Sequence, residues 1–156
     1  MVARGAPSDI ISAVMSTKVL TVKTTDMVVK ALRIMVKHKI GDVIVVEKGK
    51  PVGILTERDV STRIAKGQNV RNMAVKSAMS EPLVRVPPSM DIWQAVEMMV
   101  RKDILRLVVV ENERLVGVFT ERDIMRWLVK AAYEPNIPED LRKLLDKRVQ
   151  AHAIAG

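Results

Sequence analysis

The sequence predicts an α/β chain of the α+β kind, two β-α-β-β-α halves packed with pseudo-two-fold symmetry and followed by a C-terminal helix. Two observations carry this. The chain repeats at an offset of 64: residues 14–60 lie over 78–124 without a gap, and 16 of those 47 positions are identical, the strongest stretch being Gly53-Ile54-Leu55-Thr56-Glu57-Arg58-Asp59 over Gly117-Val118-Phe119-Thr120-Glu121-Arg122-Asp123. A copy of about 60 residues is marginal as an isolated core, so two copies packed sheet against sheet account for the 156 residues as one unit.

Each copy opens on a short strand, near Leu20-Thr21-Val22 or Val84-Arg85-Val86. Thr25 and Ser89 are hydroxyls suited to cap the helix that follows, with Asp26 or Asp91 in its first turn, where a negative charge complements the helix dipole. Val28, Ala31, Leu32 and Met35, and in the other copy Ile92, Ala95, Val96 and Met99, recur at i, i+3, i+4, i+7 and form one buried face. The runs Val43-Ile44-Val45-Val46 and Leu107-Val108-Val109-Val110 have no polar alternation and read as strands buried on both faces. Turns at Lys48-Gly49-Lys50 and Asn112-Glu113-Arg114 are short enough to make each following strand, Val52 to Leu55 or Val116 to Phe119, the second arm of an antiparallel hairpin. A second helix starts at the Thr-Glu-Arg-Asp tetrapeptide. Beyond the repeats, Pro138 to Gln150 reads as one more helix with Leu141, Leu144 and Leu145 on one face.

Composition narrows the function. Twenty-six Lys plus Arg against 18 Asp plus Glu leave +8, spread along the chain without a basic block. With 3% aromatic residues there is little to stack bases on, although a pI near 10 keeps a nucleic-acid-binding or scaffolding protein as the competing class. The absence of cysteine excludes thiolate chemistry and disulfides, and with no apolar signal core or spanning segment a cytoplasmic setting without membrane attachment is expected. His38 and His152 have no spaced partners for metal or nucleophilic chemistry, so no enzyme is expected. Trp93 and Trp127 read as packing or interface residues, Trp127 as part of an association surface if exposed.

The tetrapeptide has two readings. Thr56 and Asp59 have the spacing of a capping box. A carboxylate at that place can also accept hydrogen bonds from the two hydroxyls of a ribose, beside helix-start amides that suit a phosphate.

The Val-Met-Ser and Ala-Met-Ser-Glu-Pro openings, the buried strand about 28 residues later, and the glycine-strand-Thr-x-x-Asp close, repeated in register, make the chain resemble a tandem pair of cystathionine-β-synthase (CBS) domains, or Bateman module. The resemblance covers roughly residues 8–130: one repeat over 8–66, a linker over 67–77, a second repeat over 78–130, with 131–156 as an extension. It implies a stand-alone regulatory pair that binds AMP, ADP, ATP or S-adenosylmethionine in two clefts, dimerises, and signals to a partner protein. It also implies that each cleft is built across the pair. One would use Ile54, Thr56 and Asp59 with Leu83, Val84, Ile104, Leu105 and Arg106; the other would use Val118, Thr120 and Asp123 with Val19, Leu20, Ile40, Gly41 and Asp42. Arg106, Arg58 and Arg122 are the phosphate candidates. Because Arg106 is matched by Asp42, the Asp59 cleft is expected to bind AMP or ADP more tightly than the Asp123 cleft.

Overall fold

A computed structural model describes residues 10–80, 83–132 and 143 of the chain. The helix expected over 138–150 lies outside the described residues apart from Lys143. The first half holds β1 (Thr21–Lys23), α1 (Val28–His38), β2 (Asp42–Glu47), β3 (Lys50–Thr56) and α2 (Glu57–Ala65). After a 3-10 turn and the short α3 (Val75–Ala78), the second half repeats the order as β4 (Arg85–Val86), α4 (Ile92–Lys102), β5 (Arg106–Glu111), β6 (Arg114–Thr120) and α5 (Glu121–Ala132). Each half contributes a three-stranded sheet, β1-β2-β3 or β4-β5-β6, with the first pair parallel and the second antiparallel.

The unbroken apolar runs are buried as expected: Val43, Ile44 and Val45 in β2, and Leu107, Val108 and Val109 in β5, are each at most 2% exposed. The hairpin turns are tighter than the three residues read from the sequence. Lys48 and Gly49 (φ 50° and 77°), like Asn112 and Glu113 (φ 51° and 63°), form two-residue turns in the left-handed region, whose twist matches that of the strands. Lys50 and Arg114 already belong to β3 and β6.

The helix caps differ from expectation. Neither Thr25 nor Ser89 caps a helix; the cap residues are Met27 and Asp91, which are 64 apart. Asp91 accepts the amides of Trp93 and Gln94 at 2.9 and 3.2 Å. Asp26 instead closes a turn onto the Lys23 amide at 2.8 Å, which uses its carboxylate before the helix begins. At α1 the Val28 N–H donates to the Met73 carbonyl at 2.9 Å, so backbone from another segment does the work of a side-chain cap.

The opening segments are exchanged between the halves. Ile11, fully buried in a 3-10 turn, joins the core of Val86, Ile92, Leu107, Phe119 and Trp127 in the second half. Val75, which the sequence reading left in the linker, and Ala78, both in α3 ahead of β4, join the core of Val22, Val28, Met35, Val45 and Leu55 in the first. Continuing these openings, Ser80 pairs with Ile54 on β3 and Ser16 with Val118 on β6. Gly53 and Gly117 permit the crossing. A Cβ on Gly53 would lie 2.6 Å from Met79 Sδ, and one on Gly117 would lie 2.7 Å from Met15 Sδ. Each half therefore completes its core only with the other half's opening.

Trp127 is 6% exposed and belongs to the second core, so it offers no association surface. Its ring meets that of Trp93 edge to face at 5.3 Å, and Trp93 is the more exposed of the two. Among the described residues no helix is long and apolar enough to cross a membrane.

Candidate ligand-binding site

The Thr-x-x-Asp tetrapeptides start α2 and α5 at the ends of β3 and β6. At the first, both halves of a capping box are formed: the Asp59 amide donates to Thr56 Oγ1 at 3.0 Å, and the Thr56 amide donates to Asp59 Oδ2 at 2.9 Å. The other oxygen, Oδ1, receives the Ser80 hydroxyl at 2.8 Å. At the second, Asp123 Oδ2 accepts both the amide and the hydroxyl of Thr120, at 2.8 and 3.1 Å. Its Oδ1 faces Arg126 Nη1 at 3.5 Å, and the side chain is 2% exposed. Asp59 thus belongs to a complete capping box, and Asp123 makes the return bond to the Thr120 amide. The difference between them lies in what occupies the outer oxygen.

Beside Asp123 the two halves enclose a cavity of about 270 Å³. All eight residues expected in this cleft line it: Val118, Thr120 and Asp123 from the second half, and Val19, Leu20, Ile40, Gly41 and Asp42 from the first. Topology explains the convergence. Val19 and Leu20 lead into β1, Ile40 and Gly41 form the approach to β2, and the parallel pairing of β1 with β2 sets these two approaches side by side. Their backbones are already committed on one side: Leu20 O accepts the Ile44 amide at 3.2 Å, and Gly41 O accepts the Glu57 amide at 2.9 Å.

Arg106 differs from the sequence reading in its partner. It lines the Asp123 cavity and pairs with Asp42, Nη1 donating to Oδ1 at 2.6 Å and Nη2 to Oδ2, a two-point contact of the kind a guanidinium makes with a carboxylate. Residues 42 and 106 occupy the same position in the two copies, and equivalent positions can bond to each other only at the pseudo-two-fold axis. The guanidinium is therefore already paired rather than free for phosphate in the Asp59 cleft, and Asp42 is already neutralised. The expected preference for the Asp59 cleft loses its basis. Burial raises the Asp42 pKa above its ordinary value; Arg106 opposes this and Glu57 adds to it.

The residues expected in the first cleft are placed as follows. Asp59 and Ile54 meet the second half at Ser80, and Thr56 is bonded to Asp59. Val84 and Ile104 pack against the second core, while Leu105 is 60% exposed. Leu83 is half-buried. Arg122 lines the Asp123 cavity; Arg58, its counterpart, is exposed on α2. The sequence reading missed Lys18, Lys39 and Arg126 on the wall of the cavity, and Ser80 on Asp59. Arg126 had a legible signal, since it follows Asp123 by three residues on one helix face.

The CBS domain family matches this chain twice, at residues 10–66 and 75–130. An uncharacterized protein of Methanopyrus kandleri is 34% identical over 83% of this chain and 66% of its own length. The CBS domain-containing protein YhcV of Bacillus subtilis is 33% identical over 70% of this chain and 79% of its own. Among solved structures, the CBS domain pair of protein MJ0100, in complex with 5′-methylthioadenosine and S-adenosyl-L-methionine, superposes with a TM-score of 0.68 at 24% identity, covering 75% of this chain and 93% of that one. The chain spans just under two thirds of the Methanopyrus protein.

Proposed function

The chain belongs to the CBS domain family, whose pairs are regulatory modules, and we propose that it binds an adenosine-containing ligand between its halves and signals occupancy to a partner protein. One observation carries the reading: residues far apart in sequence, from Val19 to Asp123, line a single cavity that includes the Asp123 carboxylate. Val19, Leu20, Ile40 and Val118 offer an apolar slot for a base, and Gly41 leaves backbone accessible beside it. Asp123 would take the ribose hydroxyls on Oδ1 once Arg126 swings aside, the only cost being a 3.5 Å contact on a solvent-exposed side chain. At about 270 Å³ the cavity is near the ~300 Å³ lower end for small-molecule sites, enough for a nucleoside whose phosphates reach the rim. The ligands in view are AMP, ADP, ATP and S-adenosylmethionine. Occupancy would be relayed through the exchanged openings, because Ser16 and Lys18 line the cavity while Ile11 lies in the core of the second half. A non-catalytic, cytoplasmic module acting as a homodimer completes the proposal.

A thermal-shift screen with these four ligands tests it, since a ligand that binds only the folded state raises its stability. The expected result is a concentration-dependent rise with at least one ligand that Asp123→Ala abolishes. No shift with any of them, together with salt-sensitive binding to polynucleotide, would replace it with the nucleic-acid or scaffolding class.

A further inference from the structure

Resting on the adenosine-ligand reading, we propose that the two clefts are chemically distinct: the Asp123 cleft is the site for a nucleoside di- or triphosphate, and the Asp59 cleft is not. The repeat supplies an internal control, because every residue at one cleft has a counterpart 64 positions away. Lys39 on the cavity wall answers to Asp103. Both end a helix, α1 or α4, in the left-handed region with φ of 53° and 51°, so they project from matching places with opposite charge. Arg126 on the wall answers to Thr62, one turn into α2. Lys18 and Arg122 bring the cations on the wall to four besides Arg106. The acidic groups there are Asp42, Glu121 and Asp123; the first is paired with Arg106, the second is matched by Glu57 in the other half, and the third has Oδ2 bonded to Thr120. At the counterpart site the outer oxygen of Asp59 is already taken by the Ser80 hydroxyl, whereas at Asp123 it faces the long, exposed Arg126 side chain at 3.5 Å. A polyphosphate chain leaving a small cavity over this rim meets Lys39 and Arg126 in one cleft and their counterparts Asp103 and Thr62 in the other, while Arg122, matched by Arg58, does not distinguish the two.

Titration calorimetry of the full chain with ATP, ADP, AMP and adenosine tests this. We expect one ATP per chain, affinity falling from ATP to adenosine, and an ATP affinity that weakens with salt while adenosine affinity does not. Lys39→Asp and Arg126→Thr each import the residue that the other half already carries at that backbone position, so both variants should fold. Together they should lower the ratio of ATP to adenosine affinity about tenfold, the expected effect of removing rim charges a few ångströms from phosphate. Two equal ATP sites, or an ATP-to-adenosine ratio that the double variant leaves intact, overturns the proposal. If adenosine binds without discrimination, only this inference fails; if no adenine ligand binds at all, the functional reading fails with it.

Discussion

Asp42 and Arg106 hold the same place in the two copies of the repeat and are bonded to each other. Their side chains are 13% and 27% exposed, so the pair is partly desolvated and each member depends on the other. Removing one should cost more than removing both. We expect Arg106→Met to destabilise the chain by about 1–3 kcal/mol, the penalty of a partly buried charge left without its partner, and Asp42→Leu combined with Arg106→Met to recover most of it. Urea unfolding of the single and double variants reads the difference. Equal losses in the two would show that the contact is a surface pair of little weight.

Asp26 and Asp42 should respond to acid with opposite signs. The Lys23 amide, and then Lys30, hold the Asp26 pKa below its ordinary 3.8, so its contribution is present above about pH 4 and disappears as pH falls through the lowered value. Burial raises that of Asp42, so its carboxyl favours the folded state when protonated, and this advantage is lost as pH rises through the raised value. Asp26→Asn should flatten the acid-side fall of stability, and Asp42→Asn should deepen it. Unfolding midpoints from about pH 3 to 6 check both signs.

The exchanged openings make two glycines indispensable. Gly117→Ala would set a Cβ 2.7 Å from Met15 Sδ and 2.9 Å from the Ser16 carbonyl. The sulfur can move, but the carbonyl is held by the Val118 amide at 2.9 Å. A loss of about 1–3 kcal/mol is expected, with Met15→Ala relieving only part of it. Gly53→Ala, against Met79 and the Ser80 carbonyl, should behave alike. Denaturation curves that match the parent would mean that the openings are not packed on β3 and β6.

Core depth separates residues that look alike in sequence. Phe119 is fully buried in the second core, and Phe119→Ala should cost about 3–5 kcal/mol. Leu105, 60% exposed, should lose about 0.5 kcal/mol or less when cut to alanine. Chemical unfolding of the two variants decides it, and comparable losses would contradict this burial.

Much of the fold was legible because periodicity survives in a linear string. The faces of α1 and α4, the doubly buried β2 and β5 and the hairpins all follow from local spacing, and Val28, Ala31 and Met35 are buried as that spacing requires. The caps were less legible. Thr25 and Asp26 have the right chemistry for a cap, yet Met73 backbone reaches α1 from a distance that no local window contains. The eight residues of the Asp123 cleft were found through a resemblance rather than through their own signal, since Val, Leu and Ile at strand ends look like any other core.

The sequence alone determined the repeat, the element order and the paired Thr-x-x-Asp sites, because each is written in local pattern and in the offset of 64. It could not determine which copy receives which opening, since halves of the same pattern are equally compatible with packing on themselves or on each other. Tertiary structure decided that Ile11 completes the second core and Val75 the first. It also decided that Asp42 faces Arg106. A repeat lists equivalent positions as alternatives, but a two-fold axis brings those nearest to it into contact, and there opposite charges cancel instead of serving separate clefts.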